Sequence, residues 1–494
     1  MIFLAEITVY NPQTLALGKL YFASQAIAPF DSIDADRPDQ YYQPRITHIA
    51  AFTSSMFGSG RTSGSSANGG GGITISNADG ALDYMMGWGF SGRPIALYVG
   101  DREGAFNSFQ KVLTGTVDQP VFSYGIRSEA TVTFNLRDKT KLVDVPIQNN
   151  LYLGTNSGAI GFEGLPNDIQ GKPKPLCFGI CYNVTPVLVN SSTLTYQVHD
   201  GAIEDIVTVY DKGVVITGYT KDLANGRFTL TAAPAGQITC DVKGAKPVVY
   251  YNRVGDLVSL IASSYAMLAV DITSIAALNS ASGAEVGIYI SDKTTIASVL
   301  DELLGSVRGY WVIDELDTFV VGKISLNVAI RAYFTDIDLV ELNTIVASDE
   351  QGNIPSYQVE LSYGKNYTVQ TDADLAASVS ADRRAMLARE YKTVIKTVPS
   401  VKTTHLLSPI IRRNTLLLSL YNTEATALSV LYSVSRQFLR IAVPFTQVNA
   451  ALRLGNAINV TTGRIGLDLG KKFVITSISH YAPELNLIEF EVWG

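Results

Sequence analysis

From Ile2 to Val9 apolar and polar side chains alternate as in a half-buried strand, and the alternation resumes at Leu20-Tyr-Phe-Ala after Asn11-Pro12. Asn-Pro favours turn initiation, so the two runs predict a hairpin. The polar stretch Asp31 to Asp39 predicts an exposed loop, and Ile46 to Phe52 another strand. Strand, Asn-Ala-Asp-Gly turn and a short helical start follow in Ile73-Thr-Ile-Ser-Asn-Ala-Asp-Gly-Ala-Leu-Asp. Pro94 to Gly100, Lys111 to Val117 and Ala130 to Asp138 continue the strands at near-regular spacing, which fits a β-barrel or sandwich. Residues 1 to about 170 therefore predict one mostly-β domain.

A stiff, proline-rich connection, Lys172-Pro-Lys-Pro-Leu-Cys-Phe-Gly, leads into six short strands: Val184–Val189, Thr195–Val198, Ile206–Tyr210, Val214–Thr217, Arg227–Leu230 and Gln237–Val242. They predict a small β-module over 171–250. The period then changes from two to about 3.6. Leu257, Leu260, Ile261, Tyr265 and Leu268 form one helix face, and Ile296, Val299, Leu300, Leu303 and Leu304 another. With strands at Tyr310–Asp314 and Thr318–Gly322, these helices predict an α+β insert over 251–350. From Ser356 to Tyr363 the alternation is that of a strand again. Helix is expected over Ala373–Val394 and Ala425–Gln437, an insertion at about 373–437 within a C-terminal β domain spanning 351–494. Three β-type runs close the chain: Leu452 to Thr461, Gly466 to Ser479 and Asn486 to Gly494.

Composition narrows the function classes. At 494 residues the chain is too long for one ordinary core. Only 17% of residues are charged, below the roughly 25% usual for soluble proteins, while 25 Tyr and 19 Phe supply contact area. That balance favours a subunit covered by neighbours. A net charge of −7 argues against binding nucleic acid through phosphate contacts, though not against a conduit for it. The start, Met1-Ile-Phe-Leu-Ala-Glu, lacks a basic region before its apolar run, so no signal peptide is expected, and no apolar stretch reaches the length of a membrane helix. The expectation is a soluble, unsecreted protein assembled in the cytoplasm.

Candidate chemistry is sparse. The four histidines, His48, His199, His405 and His480, fall in no zinc-ligand spacing. His199-Asp200 has the residue types of a triad, but it reads as a strand end running into an Asp-Gly turn, and there is no Gly-x-Ser-x-Gly elbow. Cys177, Cys181 and Cys240 fall short of the four ligands of an iron–sulfur cluster, and Cys177 and Cys181 in an apolar strand read as buried small hydrophobes. Ser76-Asn-Ala-Asp-Gly-Ala-Leu-Asp lacks the carboxylate spacing of a calcium loop. The Gly/Ser run 57–72 lacks a Gly-Lys-Ser/Thr ending and reads as a flexible loop, mobile until a partner binds it. No catalytic, metal or cofactor residue is predicted, and the chain is read as not an enzyme.

Four stretches in order resemble the hub proteins that close the tail tube of long-tailed bacteriophages and phage-derived gene transfer agents. They are Gly72 to Asp83 with Gly92 to Gly100 and Leu113 to Val117; Leu142 to Gln148 through Gly171 to Gly179; Tyr196 to Val214; and the C-terminal runs ending in Trp493-Gly494. The resemblance implies a mainly β fold in which two tube-like β-barrel domains, 1–170 and 351–494, flank the smaller β and α+β modules. It implies a homotrimer whose six barrels form a ring adapting a sixfold tail tube to a threefold tip. Implied partners are the distal tail or tail-tube ring, the tape-measure protein and tail fibres or receptor-binding proteins. DNA would pass without specific binding, and the location would be the virion tail tip or baseplate. The loops 58–72 and Asp31–Asp39 are the candidate contact elements. The alternative is another tail component with peptidoglycan-hydrolase or host-surface-binding activity.

Overall fold

The computed structural model describes residues 2–69, 71–125, 128–137, 139–314, 316–348, 354–482 and 487–494. The fold is mainly β, with several sheets and short helices. The hairpin forms as Ile2–Asn11 and Ala16–Ala23, with Leu4 opposite Ala23. Arg93–Gly100 and Gln110–Val117 extend it on one side and Gln43–Pro44 on the other, giving five strands.

A larger sheet faces it, and here the two ends of the chain meet. Its order runs Glu341–Ile345, Phe438–Pro444, Leu487–Trp493, Leu467–Ala482, Ile46–Ser55, Gly72–Ser76, Ser128–Asn135, Val121–Gly125. Ala457–Thr462 also pairs with Leu467–Ala482 and carries Ile330–Phe334 beside it. The seam is antiparallel, with Ser477 opposite Ser55 and Ser479 opposite Thr53. Side-chain alternation places Phe3, Ala5, Ile7 and Val9 of the small sheet in a single core with Ile73, Val132 and Phe134 and with Ile441, Ile478 and Phe490. Each fully buried phenylalanine there removes about 150–250 Å² of its surface from water. Strands expected in two separate terminal barrels are thus partners in one sandwich. The main order is an open path from which Ala457–Thr462, Ile330–Phe334 and Ala67–Gly69 branch, and among the described residues no ladder joins its ends to close a barrel.

The middle of the chain holds two smaller sheets. One runs Val214–Ile216, Ile203–Asp211, Ile238–Ala245, Leu176–Val184, Gly287–Ile290. The segment read as a stiff connection therefore continues into a central strand. Its Lys-Pro-Lys-Pro punctuation ends at Pro175, just before the apolar run begins. The other sheet runs Val187–Asn190, Thr195–Gln197, Arg227–Leu230, Tyr219–Asp222. Beyond it, helix Ile296–Gly305 buries the predicted face, whereas helix Val254–Ser264 buries Leu257 and Ile261, leaves Leu260 half-buried and ends before Tyr265 and Leu268. They pack near a three-stranded sheet of Ala269–Val270, Thr318–Lys323 and Gly309–Ile313. A third helix, Ile272–Ala281, buries only Ile275 and Leu278 and so leaves no apolar stripe to read; the Asp271 carboxylate caps it, accepting from the Thr273 and Ser274 amides.

In the C-terminal third, Gln358–Tyr363 pairs with Lys392–Thr397 and with Ile410–Asn414. The helix expected over Ala373–Val394 is reduced to Ala381–Leu387, capped by the Ser380 hydroxyl. The β-branched run Thr393-Val394-Ile395 forms strand instead, with Val394 opposite Leu361. The following helix spans Tyr421–Tyr432 rather than reaching Gln437. Gln437 exchanges backbone hydrogen bonds with Gly494, which draws the chain back to the large sheet. Among the described residues no helix is long and apolar enough to cross a membrane.

Candidate functional site

Two features of the sandwich bear on assembly. Among the described residues the large sheet ends in two edge strands, and the outward backbone groups of an edge strand can accept another strand. At one edge, Glu341–Ile345 has its inner side on Phe438–Pro444, and the flanking chain exposes Ile337, Val340 and Val346. At the other, Val121–Gly125 pairs, among the described residues, only with Ser128–Asn135 and exposes Val121 and Tyr124. Ile337 is 95% exposed and Tyr124 86%, so both edges present large apolar side chains to solvent.

The Gly/Ser segment is the second feature. Rather than standing free until a partner arrives, it is held by the chain itself across several modules. Phe57 is buried against Tyr310 of the insert. The Glu491 carboxylate, on the last strand, accepts from the Ser59 hydroxyl at 2.7 Å and the Gly60 amide at 2.6 Å. The Gly60 carbonyl accepts from the Ser348 amide. Arg413 donates to the Ser63 hydroxyl at 2.6 Å, and the Ser66 hydroxyl accepts from the Trp311 amide at 3.2 Å. Asp301, on the helix Ile296–Gly305, receives the Trp311 indole N–H at 2.7 Å; burial raises its pKa despite these donors. Small residues let the backbone approach these partners closely: a Cβ at Gly60 would sit 2.7 Å from the Val346 carbonyl. Composition registers the missing side chains but not the backbone partners.

The Asp31–Asp39 loop is also tied inward. Asp34 accepts from the amides of Asp36, Arg37 and Phe106. Arg37 grips Glu6 with two nitrogens, at 2.6 and 3.0 Å. Glu6 sits on the strand face away from the sandwich, buried under this loop, and also accepts from Lys19 and Tyr42. Burial pushes its pKa up, but the hydrogen bonds from Arg37, Tyr42 and Lys19 outweigh it and hold the carboxyl below its ordinary value. A second buried cluster joins Glu424 to Lys323 at 2.5 Å, Arg308 at 3.2 Å and the Ser282 hydroxyl at 2.8 Å.

The residue types singled out for chemistry do not converge on a reaction centre. His199 is buried, and its Nδ1 accepts from the Cys177 amide at 3.0 Å; burial lowers its pKa to about 4, so it is neutral. The neighbouring Asp200 carboxylate instead takes the Asn150 side chain at 2.7 Å. Cys177, Cys181 and Cys240 are free thiols in one buried core. Burial, followed by the neighbouring Cys177, raises the pKa of both Cys181 and Cys240, the reverse of what a nucleophile needs. In the calcium-like turn the acids are engaged: Arg45 holds both Asp79 oxygens, at 2.9 and 2.7 Å, and Asn77 donates to Asp83. His48 is exposed on Ile46–Ser55 and His405 half-buried after the helix Pro399–Thr404, while His480 lies on Leu467–Ala482. Among the described residues no group of three His, Cys, Asp or Glu could hold a metal ion.

A cleft of about 730 Å³ lies where the strand Leu176–Val184, the loop after Tyr363, the helix Ala381–Leu387 with the chain following it, and the start of Tyr421–Tyr432 converge. It is lined by residues distant in sequence, among them Tyr182, Tyr363, Lys365, Arg389, Tyr391 and Tyr421. No local motif marks it; only the succession of aromatic and basic residues from Tyr363 to Lys392 hints at it.

No family model matches this chain, and no curated protein does either. Among solved structures it is similar to a tail protein from Neisseria meningitidis, at 11% identity and a TM-score of 0.43, covering 92% of this chain and 93% of the other. It is also similar to a 43 kDa prophage tail protein from Shewanella oneidensis, at 12% identity and 0.43, covering 92% and 95%. A prophage tail protein from Listeria monocytogenes aligns at 8% identity and 0.41, over 100% of this chain and 94% of that one.

Proposed function

We propose that this chain is a structural component of a bacteriophage-type tail, acting as the hub at the distal end of the tail tube. Three copies form a ring around a lumen, each lending the two facing sheets of its sandwich, so that six sheets face the sixfold tube above and three subunits meet the tip below. The ring holds the end of the tape-measure protein, anchors fibres or receptor-binding proteins, and opens to let DNA through. Its role is mechanical, not catalytic.

The observation that carries this reading is the large sheet made from both ends of the chain and open at two apolar edges. Glu341–Ile345 of one copy and Val121–Gly125 of the next are two different surfaces, and repeated contact between unlike surfaces generates a ring when the rotation closes. A net charge of −7 suits a lumen that does not retain phosphate. The candidate residues for hydrolysis are dispersed or engaged, which weighs against the hydrolase alternative.

The test is the mass of the purified protein by light scattering, followed by negative-stain class averages. A three-subunit ring with an open centre is expected, and Tyr124→Lys combined with Ile337→Lys should leave single subunits. A wild-type protein that stays monomeric, even after isolated tail-tube protein is added, would overturn the hub reading.

A further inference from the structure

We propose that the tyrosine-lined cleft is a binding site for an acidic saccharide, a pyranose ring carrying a carboxylate or phosphate. This goes beyond the tail role and does not depend on it.

The cleft is built, not incidental. Tyr363 and Tyr421 both line it and stack on each other, ring centroids 3.7 Å apart and planes 6° from parallel. Both rings also pack against the neighbouring core, so the aromatic face left open in the cleft is that of Tyr182, which is 44% exposed. Three residues in the left-handed region turn the chain at its walls: Asn183 with φ 53°, Gly364 with φ 61° and Leu420 with φ 55°. Leu420, branched and bulky, is strained there, and it directly precedes Tyr421. Asn366 ties two walls together: its side-chain amide donates to the Leu387 and Arg389 carbonyls, both at 3.0 Å, and its oxygen accepts from Asn183 at 2.9 Å.

The polar groups specify the ligand. Arg389 and Lys392 are exposed in the cleft lining, and among the described residues neither has an anionic partner. Lys365 is already paired with Glu302 at 3.3 Å and lies over Tyr391. Arg383 is engaged by the Gly213 carbonyl and the Tyr210 ring. Two unpaired cations in a chain of net charge −7 call for an anion. Of the two acids in the lining, Asp241 is occupied by the Asn183 amide and the Tyr210 hydroxyl, both at 2.8 Å, while Asp382 is exposed and has no ion-pair partner among the described residues. A carboxylate accepts hydroxyl hydrogens from a sugar but repels the successive phosphates of a nucleic acid. Tyrosine offers an apolar face and a hydroxyl together, which suits a ring with one C–H face and a polar rim. Open clefts with a few placed polar groups are the usual form of small-ligand sites.

The experiment applies labelled full-length protein to an array of acidic and neutral bacterial oligosaccharides, with inorganic phosphate and a thymidine oligonucleotide as competitors. Acidic oligosaccharides should be retained, with neutral counterparts at least about fivefold weaker and neither competitor displacing them at equal concentration. Arg389→Gln with Lys392→Gln, both on exposed positions, should lose at least about fivefold for the acidic ligands while keeping the wild-type circular dichroism. Four results would each overturn the proposal: an array with no retained saccharide, equal retention of neutral and acidic ligands, displacement by the competitors, or a folded double variant that binds as wild type does.

Discussion

Phe134 and Phe490 lie 356 positions apart yet are both fully buried in one core, which makes them a sharp test of the shared sandwich. Phe134 packs near Phe90 and Phe22, with ring centroids at 5.4 and 6.4 Å, and Phe490 stacks on Phe334 at 6.4 Å. A buried aromatic side chain removes about 150–250 Å² from water. At about 25 cal/mol per Å² that is roughly 4–6 kcal/mol for the whole side chain. An alanine keeps the β-carbon and the cavity partly relaxes, so Phe134→Ala and Phe490→Ala should each cost about 3–5 kcal/mol. Against a typical stability of about 5–15 kcal/mol, either loss should be large. Hydrogen exchange read by mass spectrometry locates it. Because the strands share a core and a ladder, Phe134→Ala should speed exchange in Leu487–Trp493 as well as in Ile2–Asn11, and Phe490→Ala should do the same. If Phe134→Ala loosens only residues before about 140 and leaves the C-terminal strands protected as in wild type, the argument for one sandwich fails.

Glu6→Gln should lower stability at neutral pH and flatten its acid dependence: the lowered carboxyl pKa gives stability that is complete above the ordinary carboxylate range and lost as pH falls through the folded value, a slope visible in denaturant titrations. The His199 pKa, lowered to about 4 by burial, works in the same direction: the unfolded chain takes up its proton near 6.5 while the native one stays neutral, so roughly 3 kcal/mol should drain between those values and His199→Asn should remove that step. Glu424→Ala leaves Lys323 and Arg308 without their counterion and should cost about 3–5 kcal/mol by chemical unfolding, with a change under 1 kcal/mol refuting the ion cluster's role. The three thiols should resist a disulfide reagent in the native state and react together on unfolding; fast native labelling of Cys181 would contradict its burial. Glu491→Ala should release Ser59 and Gly60 and open the Gly/Ser segment to proteolysis, with little change elsewhere.

Local pattern carried most of the elements. The strand Arg227–Leu230 and the insert helices were legible because each buries one face against a core, which stamps period two or 3.6 on the sequence. Ile272–Ala281 was not, because a helix that buries two side chains leaves no stripe. Thr393-Val394-Ile395 lay in a stretch that looked helical, and strand pairing with Gln358–Tyr363 decided it, a contact no local window contains. The same limit hid the joining of the two ends: alternation says that Ile46–Ser55 and Leu467–Ala482 are strands, not that they are neighbours. Cys177 and Cys181 were readable as core residues, since an apolar strand surrounds them, whereas His199, read as a polar strand end before an Asp-Gly turn, is buried. The cleft was not readable, because its walls come from five segments far apart in sequence, Asp241 on Ile238–Ala245 among them, and its shape from three left-handed turns.

The seam also sets a clock on biosynthesis. Ser54 and Ser477, which share a hydrogen bond across it, lie 423 residues apart. At about 5–20 residues per second, the strand Ile46–Ser55 waits roughly 20–80 s on the ribosome before its neighbour is made. During that interval Ile73, Val132 and Phe134 lack the C-terminal residues of their core, among them Ile441, Ile478 and Phe490. A nascent chain in this state is exposed to aggregation and to proteases, and a prematurely terminated one never leaves it. Completion of the sandwich therefore waits until translation has passed Leu487–Trp493, and only copies made that far present both edges of the large sheet.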